Sequence, residues 1–93
     1  MKLEFEWNEA KANDNYVKHG ISFDLASKAF NDPFAIEFLD QRRDYAEERF
    51  VILGMVDHHL LYVAYTERED RIRMISARRA TKYEQEYYFE QNS

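Results

Sequence analysis

The spacing of apolar and polar residues changes period several times along this chain. Residues 2–7 (Lys-Leu-Glu-Phe-Glu-Trp) alternate polar and apolar side chains, which predicts a short strand. Phe23, Ala26 and Phe30 fall at positions i, i+3 and i+7, which predicts a helix that buries a single stripe. The N-terminal third of the chain therefore predicts a strand followed by helical structure.

The middle of the chain reads as a run of strands joined by short links. The predicted strands are residues 34–39, 49–56, 60–66 and 71–77. The charged segment 40–47 predicts a loop. The segment 60–66 is apolar on both faces, so we expect it to be an inner strand. The short links between the last three strands predict an antiparallel meander.

Residues typical of helix ends mark the boundaries of three helices. Asn8 and Ser22 are good N-caps for two N-terminal helices, and Gly20 suits the end of the first. Thr81 and Glu84 match a capping box that opens a C-terminal helix ending near residue 91. The predicted order of elements is thus β-α-α-β-β-β-β-α.

This order predicts an α+β fold in one domain over residues 1–93. We expect an antiparallel sheet of about four strands with N-terminal helices and a C-terminal helix, all on one side of the sheet. Tyr83 and Tyr87, with Tyr88 beside them, are expected to dock the last helix.

Composition narrows the possible functions. The 93-residue chain has no cysteine, which excludes disulfides, thiolate catalysis and cysteine-ligated zinc. No run approaches the ~20 apolar residues that span a bilayer, and the first residues do not resemble a signal peptide, so we expect a cytoplasmic protein without a membrane partner. The adjacent His58 and His59 lack matching ligands nearby, so we expect no metal site.

Charge is distributed unevenly. The net charge is −5, which disfavours a surface that attracts nucleic acid everywhere. Between residues 68 and 82, however, six basic side chains stand against two acidic ones. The basic residues are Arg68, Arg71, Arg73, Arg78, Arg79 and Lys82. A local anion-binding site on an acidic protein remains compatible with this pattern.

Two arginines in the last strand are candidates for phosphate binding. Arg71 and Arg73 lie two residues apart, so they share a face of the sheet and can clamp one phosphate. The alternative is a solvated edge strand whose charges only prevent aggregation. Arg78 and Arg79 precede the Thr81 cap, where they can bind a phosphate near the helix N-terminus or pair with Glu84.

A histidine and a glutamate are candidates for proton transfer. His19 ends the first helix, and histidine titrates near neutral pH, although it can also simply complement the helix dipole. Lys11 precedes it by eight residues, hence lies on nearly the same helix face. Glu48 can act as a base or form a surface pair with Arg49, and only one of these two neighbours can face a site.

Several segments together resemble one known protein family. They are Phe5-Glu6-Trp7-Asn8-Glu9-Ala10-Lys11, then Asn15, then Lys18-His19-Gly20-Ile21-Ser22-Phe23, then Asp32-Pro33, Glu48-Arg49, Gly54 and Thr66-Glu67-Arg68, and finally the long run from Arg71 to Thr81. This pattern resembles the BrnT ribonuclease toxins from about Phe5 to Glu84.

The resemblance implies a RelE-like fold and RNA cleavage that needs no metal or other cofactor and stops translation. It implies an RNA substrate and a BrnA-like antitoxin, a ribbon-helix-helix protein that contacts DNA, so that the toxin meets DNA only indirectly. With the resemblance, we expect the catalytic residues to be His19, Glu48, Arg68, Arg73 and Arg79. We expect RNA-binding residues to be Lys11, Lys18, Arg71 and Arg78. The alternative is a non-catalytic RelE-like module that mainly binds an antitoxin or another protein.

Overall fold

A computed structural model describes residues 3–41 and 47–93 of the chain. The elements are β1 (Glu4–Glu6), α1 (Glu9–His19), α2 (Phe23–Ser27), a 3₁₀ helix (Lys28–Asn31), β2 (Ile36–Leu39), β3 (Phe50–Val56), β4 (His59–Arg68), β5 (Arg71–Arg79) and α3 (Lys82–Gln91). The predicted α+β class and the order of elements are confirmed. Most of the predicted loop 40–47 lies outside the described residues.

The five strands form one sheet in the order β1-β5-β4-β3-β2. Strands β2 to β5 are an antiparallel meander, and β4 lies at the centre, as its two apolar faces predict. The expectation of a wholly antiparallel sheet of about four strands is wrong, because β1 pairs in parallel with β5. No tight turn fixes the direction of β1, since most of the chain separates it from its partner.

The sheet is covered on both faces, so the expectation of helices on one side is also wrong. Helices α1 and α2 and the 3₁₀ helix cover one face, where Phe23, Ala26 and Ala29 pack with apolar side chains of β3, β4 and β5. On the opposite face Tyr88 of α3 packs into a second core. The two-sided apolar pattern of β3 and β4 requires this, because an uncovered face would leave apolar surface in water.

The C-terminal helix is docked by Tyr88, which is 4% exposed. Tyr83, by contrast, is 77% exposed, so its predicted docking role is wrong, and Tyr87 is also exposed. The hydroxyl of Tyr88 donates to Asp32 Oδ2 at 2.6 Å, and the amide of Met55 donates to the same oxygen at 2.8 Å. Asp32 thereby joins α3 to the edge of β3.

The predicted helix caps are confirmed. The side chains of Asn8 and Ser22 accept hydrogen bonds from the third residue of their helices, and Gly20 closes α1 in the left-handed conformation at φ 71°. Thr81 and Glu84 make both hydrogen bonds of a capping box. Because these bonds depend on local sequence alone, the positions of the helix ends could be predicted.

One helix-interior side chain ties α1 to the sheet. Asn15 is 7% exposed, and its amide nitrogen donates to the carbonyl oxygens of Ile21 and Ala77 at 3.0 and 2.9 Å. Its Oδ1 accepts from the Ala77 amide at 3.0 Å. β1 pairs with β5 only at residues 71–73, so at Ala77 the Asn15 side chain supplies hydrogen bonds that a neighbouring strand would otherwise make.

Gly54 allows the 3₁₀ helix to lie directly on β3. A Cβ atom at this position would lie 2.5 Å from the carbonyl oxygen of Ala29 and 2.8 Å from its Cβ. We therefore expect Gly54→Ala to lower the free energy of unfolding by about 2 kcal/mol, because backbone must move to relieve the overlap. Urea unfolding measures this, and a change below about 0.5 kcal/mol would show that the 3₁₀ helix shifts at little cost.

Candidate functional site

Basic side chains from α1, β4 and β5 surround a cleft of about 170 Å³, here called the arginine cleft. It is lined by Lys11, Glu47, Arg49, Thr66, Arg68, Arg73 and Ile75. Four of these seven side chains carry a positive charge and one carries a negative charge. An arrangement of this kind suits a polyanion, because guanidinium groups bind phosphate oxygens through two parallel hydrogen bonds.

Strand register brings the two key arginines of this cleft together. Arg68 is the last residue of β4 and lies opposite Arg71, while Arg73 lies opposite Thr66. Arg68 and Arg73 are therefore diagonal neighbours across two adjacent strands, with Cα atoms roughly 7–8 Å apart. The pairing shifts between Ala64 and Tyr65, so that Ile75 bulges. Such irregularities often re-aim side chains beside functional sites.

Both arginines carry carboxylate partners in the free protein. Arg68 donates from Nε and from one terminal nitrogen to the two oxygens of Glu47, at 3.1 and 2.8 Å. The hydrogen bonds from Arg68 hold the pKa of Glu47 below its usual range. Arg73 donates to Glu6 Oε2 at 2.9 Å, and Arg71 lies 3.6 Å from the other oxygen of the same carboxylate. This shared partner agrees with the predicted common face of Arg71 and Arg73.

A second cleft, of about 200 Å³, adjoins the first along α1 and is here called the histidine cleft. It is lined by Lys11, Asp14, Asn15, Lys18, His19, Ile75 and Ser76. Lys11 and Ile75 line both clefts, so the two form one continuous surface. Lys11 and His19 line this cleft together, as their spacing on the helix predicts. His19 and Arg73 thus belong to neighbouring parts of one surface.

Glu48 lines neither of these two clefts. Its side chain is exposed, and its carbonyl oxygen accepts a hydrogen bond from the Thr66 hydroxyl at 2.8 Å. The residues on either side of it, Glu47 and Arg49, line the arginine cleft instead. Alternate residues of an extended chain share a face, so Glu47 and Arg49 face the cleft together while Glu48 between them does not.

Arg78 serves the fold at a distance from both clefts. Its terminal nitrogens donate to the two carboxylate oxygens of Glu84 at 2.8 and 2.9 Å, and its guanidinium lies 3.9 Å from the centre of the Tyr62 ring. Burial alone would raise the pKa of Glu84, but hydrogen bonds from Arg78 and Thr81 outweigh it and lower the pKa. Arg78 therefore fixes the start of α3, and the pairing with Glu84 that its position allowed is observed.

The other two arginines predicted for the site line neither cleft. Arg79 is exposed at the end of β5 and lines neither cleft, and Arg71 likewise lines neither, although it contacts Glu6. Glu6, Asn15 and Thr66 also lie at the site, although none of them was predicted to be a site residue. Glu6 carries no local signal, because its approach to Arg73 depends on the parallel pairing of β1 with β5.

Two other grooves are chemically different. One is lined by Phe38, Leu53, Tyr62, Tyr83, Glu84 and Tyr87. The other, between α1 and α2, is lined by Trp7, Glu9, Ala12, Asn13, Tyr16, Val17, Ser22, Phe23 and Asp24. Neither has a basic residue or a histidine in its lining, and their carboxylates would repel phosphate. We therefore place the candidate site in the arginine and histidine clefts.

Residues 3–41 and 47–93 contain no cluster of three or more histidine or carboxylate side chains placed to hold a metal ion. Within the same residues, no helix has the length and apolar character needed to cross a bilayer.

Comparison with known proteins identifies the family. A search of curated proteins found no match. A family model described as the ribonuclease toxin BrnT of type II toxin–antitoxin systems matches residues 7–84, which include every residue that lines the arginine and histidine clefts. With most of its length matched, the chain belongs to the BrnT family of ribonuclease toxins of type II toxin–antitoxin systems.

Proposed function

We propose that this chain is a metal-independent endoribonuclease that stops translation by cleaving RNA. The single observation that supports this most is the junction of the two clefts at Lys11. Because the clefts share Lys11, His19 lies on the same surface as Arg68 and Arg73, which supports a combined role in RNA cleavage. Family membership gives the same class of activity, and the clefts contain cations for the phosphate and one candidate group for proton transfer.

Metal-free RNA cleavage needs cations and proton transfer around one phosphorus atom. The ribose 2′-oxygen attacks the phosphorus and loses its proton, while the 5′-oxygen leaves and gains one. The products are a 2′,3′-cyclic phosphate and a 5′-hydroxyl. Arg68 and Arg73 bind the phosphate and stabilise the charge that develops on its oxygens. His19 is the proton-transfer group of this proposal, because its imidazole lines the histidine cleft next to the arginine cleft.

Lys11, Lys18 and Arg71 then hold the RNA on either side of the reacting phosphate. Lys11 lines both clefts, and Lys18 lines the histidine cleft next to His19. Arg71 lies next to the arginine cleft through its contact with Glu6. We assign no RNA contact to Arg78, because it lines neither cleft and its guanidinium holds Glu84 at the start of α3.

The family also implies an antitoxin partner. We propose that it is a BrnA-like ribbon-helix-helix protein, which keeps the cytoplasmic toxin inactive and links it to DNA only indirectly. A second candidate function has two observations in its favour. The carboxylates on Arg68 and Arg73, together with the net charge of −5, suit a non-catalytic module that mainly binds the antitoxin.

Incubation of the purified protein with a 5′-labelled RNA, with EDTA present, distinguishes the two functions. The proposed enzyme is expected to leave fragments ending in 2′,3′-cyclic phosphate and to be as active with EDTA as without it. His19→Ala is expected to lose about 10²-fold or more in cleavage rate. His58→Ala is the matched control, since this exposed histidine lines neither cleft. Cleavage that requires added Mg²⁺, or an absence of cleavage in wild type, would overturn the proposal.

A further inference from the structure

We propose that Glu47 and Glu6 occupy the phosphate-binding positions of Arg68 and Arg73 in the free protein, so that RNA must displace them to bind. The inference rests on the proposed function, because it concerns the same cleft. It makes two acidic residues determinants of which anions can enter. Ligands with several adjacent phosphates are admitted, and single small anions are not.

The contact between Glu47 and Arg68 has the geometry of a bound oxyanion. Nε and a terminal nitrogen of Arg68 each donate to a different oxygen of the carboxylate, at 3.1 and 2.8 Å. Carboxylate and phosphate groups both accept bidentate hydrogen bonds from a guanidinium group. The Glu47 carboxylate therefore uses donors that a phosphate would use, and it does so inside the cleft that both side chains line.

Glu6 also pairs with an arginine of the cleft, but it is shared between two guanidinium groups and makes one hydrogen bond to Arg73. Glu6 Oε2 accepts from Arg73 at 2.9 Å, and Oε1 lies 3.6 Å from Arg71. One carboxylate thus lies between the two arginines that the sequence indicates as a phosphate clamp. Its place follows from the pairing of Glu6 with Arg73 in the parallel part of the sheet.

The ion pairs of Glu47 and Glu6 are weak enough for phosphate groups of RNA to replace the carboxylates. The side chains of Arg68 and Glu47 are 50% and 46% exposed, and ion pairs that are this open to water contribute little to stability. Yet they reduce the repulsion among four cations in one small cleft. A single phosphate gains too little to displace both carboxylates. A strand with successive phosphates replaces both at once, since Arg68 and Arg73 are diagonal neighbours.

The test compares variants that remove one negative charge each. Binding is measured by fluorescence anisotropy with a labelled, non-cleavable 2′-O-methyl RNA oligonucleotide and, separately, by competition with inorganic phosphate. Glu47→Gln and Glu6→Gln each remove a carboxylate from an arginine. Glu86→Gln is the matched control, because Glu86 is exposed on α3, lines neither cleft and undergoes the same change in charge.

We expect Glu47→Gln and Glu6→Gln to bind the oligonucleotide about three- to ten-fold more tightly than Glu86→Gln, and the double variant to bind more tightly than either. Inorganic phosphate should compete measurably only in the double variant. Weaker binding by Glu47→Gln would overturn the inference, because it would show that the carboxylate orients Arg68 for RNA. Affinity equal to that of the control would overturn it too.

Parallel assays with cleavable RNA separate this inference from the proposed function. Tighter binding without cleavage by any form supports the role of the carboxylates and overturns the proposed enzyme. Cleavage by wild type with no gain in affinity in the glutamine variants overturns only the inference. If Glu6→Gln disturbs β1, seen as a lower unfolding temperature, Glu47→Gln alone decides, since its pair is half-exposed on the surface.

Discussion

Replacing Arg73 with alanine is expected to lower the rate of RNA cleavage by about 10²- to 10³-fold with little change in stability. Arg73 lies on β5, opposite Glu6 of β1 on one side and Thr66 of β4 on the other, and its side chain lines the arginine cleft. Under the proposed function, its guanidinium stabilises the charge that builds up on the phosphate oxygens in the transition state, so most of the loss should appear in kcat. Its pair with Glu6 is partly exposed, so stability should fall by about 1 kcal/mol or less.

Two further variants make the Arg73 result specific. Arg73→Lys keeps the charge but loses the two-pronged donor, and we expect an intermediate rate. Lys82→Ala removes a positive charge from an exposed position on α3 that lines neither cleft, and its rate should match wild type. Single-turnover cleavage measures the rates, and thermal unfolding checks the fold. An Arg73→Ala protein that cleaves within about three-fold of wild type would exclude Arg73 from catalysis.

Local signals predicted much of this fold. The capping box at Thr81 and Glu84, the caps at Asn8 and Ser22, and the left-handed Gly20 all depend on residues within one helical turn. The central position of β4 followed from its two apolar faces. Pairing within the meander followed from short links, which leave adjacent strands few ways to meet.

Features that depend on distant pairing could not be predicted. The parallel contact of β1 with β5 joins residues 4–6 to residues 71–73, and no local pattern encodes that register. The position of Glu6 on Arg73 follows from it. The position of α3 on the face opposite α1 and α2 could have been predicted, because β3 and β4 are apolar on both faces and both faces must be covered.

Arginine spacing gave candidates for the site but could not rank them. Arg73 and Arg78 belong to the same run of sequence, yet Arg73 lines the arginine cleft and Arg78 binds Glu84 and the ring of Tyr62. The two arginines differ in the carboxylate that each one contacts, which is Glu6 of β1 for Arg73 and Glu84 of α3 for Arg78. Partners of this kind are set by strand register and by the docking of α3, and they become visible only in three dimensions.

Asn15 is one of the residues that carry the family resemblance, but no pattern in the sequence indicated that its side chain would be buried. A single asparagine inside a helix usually faces solvent, whereas here it is buried and makes three hydrogen bonds. We expect Asn15→Ala to lower the free energy of unfolding by about 3 kcal/mol, because backbone groups of Ala77 and Ile21 lose their partners. Asn13→Ala is the control on the same helix, since Asn13 is exposed, and its change should stay within about 0.5 kcal/mol.

Asn15→Asp tests the same three hydrogen bonds with nearly the same shape. One oxygen of the new carboxyl group can still accept from the Ala77 amide, but the other faces the carbonyl oxygens of Ala77 and Ile21, which the native amide nitrogen contacts at 2.9 and 3.0 Å. A carboxylate there is repelled, so its pKa in the folded protein should rise above the ordinary ~3.9. The protonated form then donates one hydrogen bond in place of the lost amide. Because the folded state binds this proton more tightly than the unfolded state, the variant should approach wild-type stability near pH 4 and lose that stability as pH rises through the raised pKa. Chemical unfolding of Asn15→Asp and wild type between pH 4 and pH 8 measures the difference. A gap that is constant across this range would mean that the side chain at position 15 does not face the two carbonyls. In that case α1 would be held against β5, and Lys11 and His19 against their clefts, by apolar packing alone.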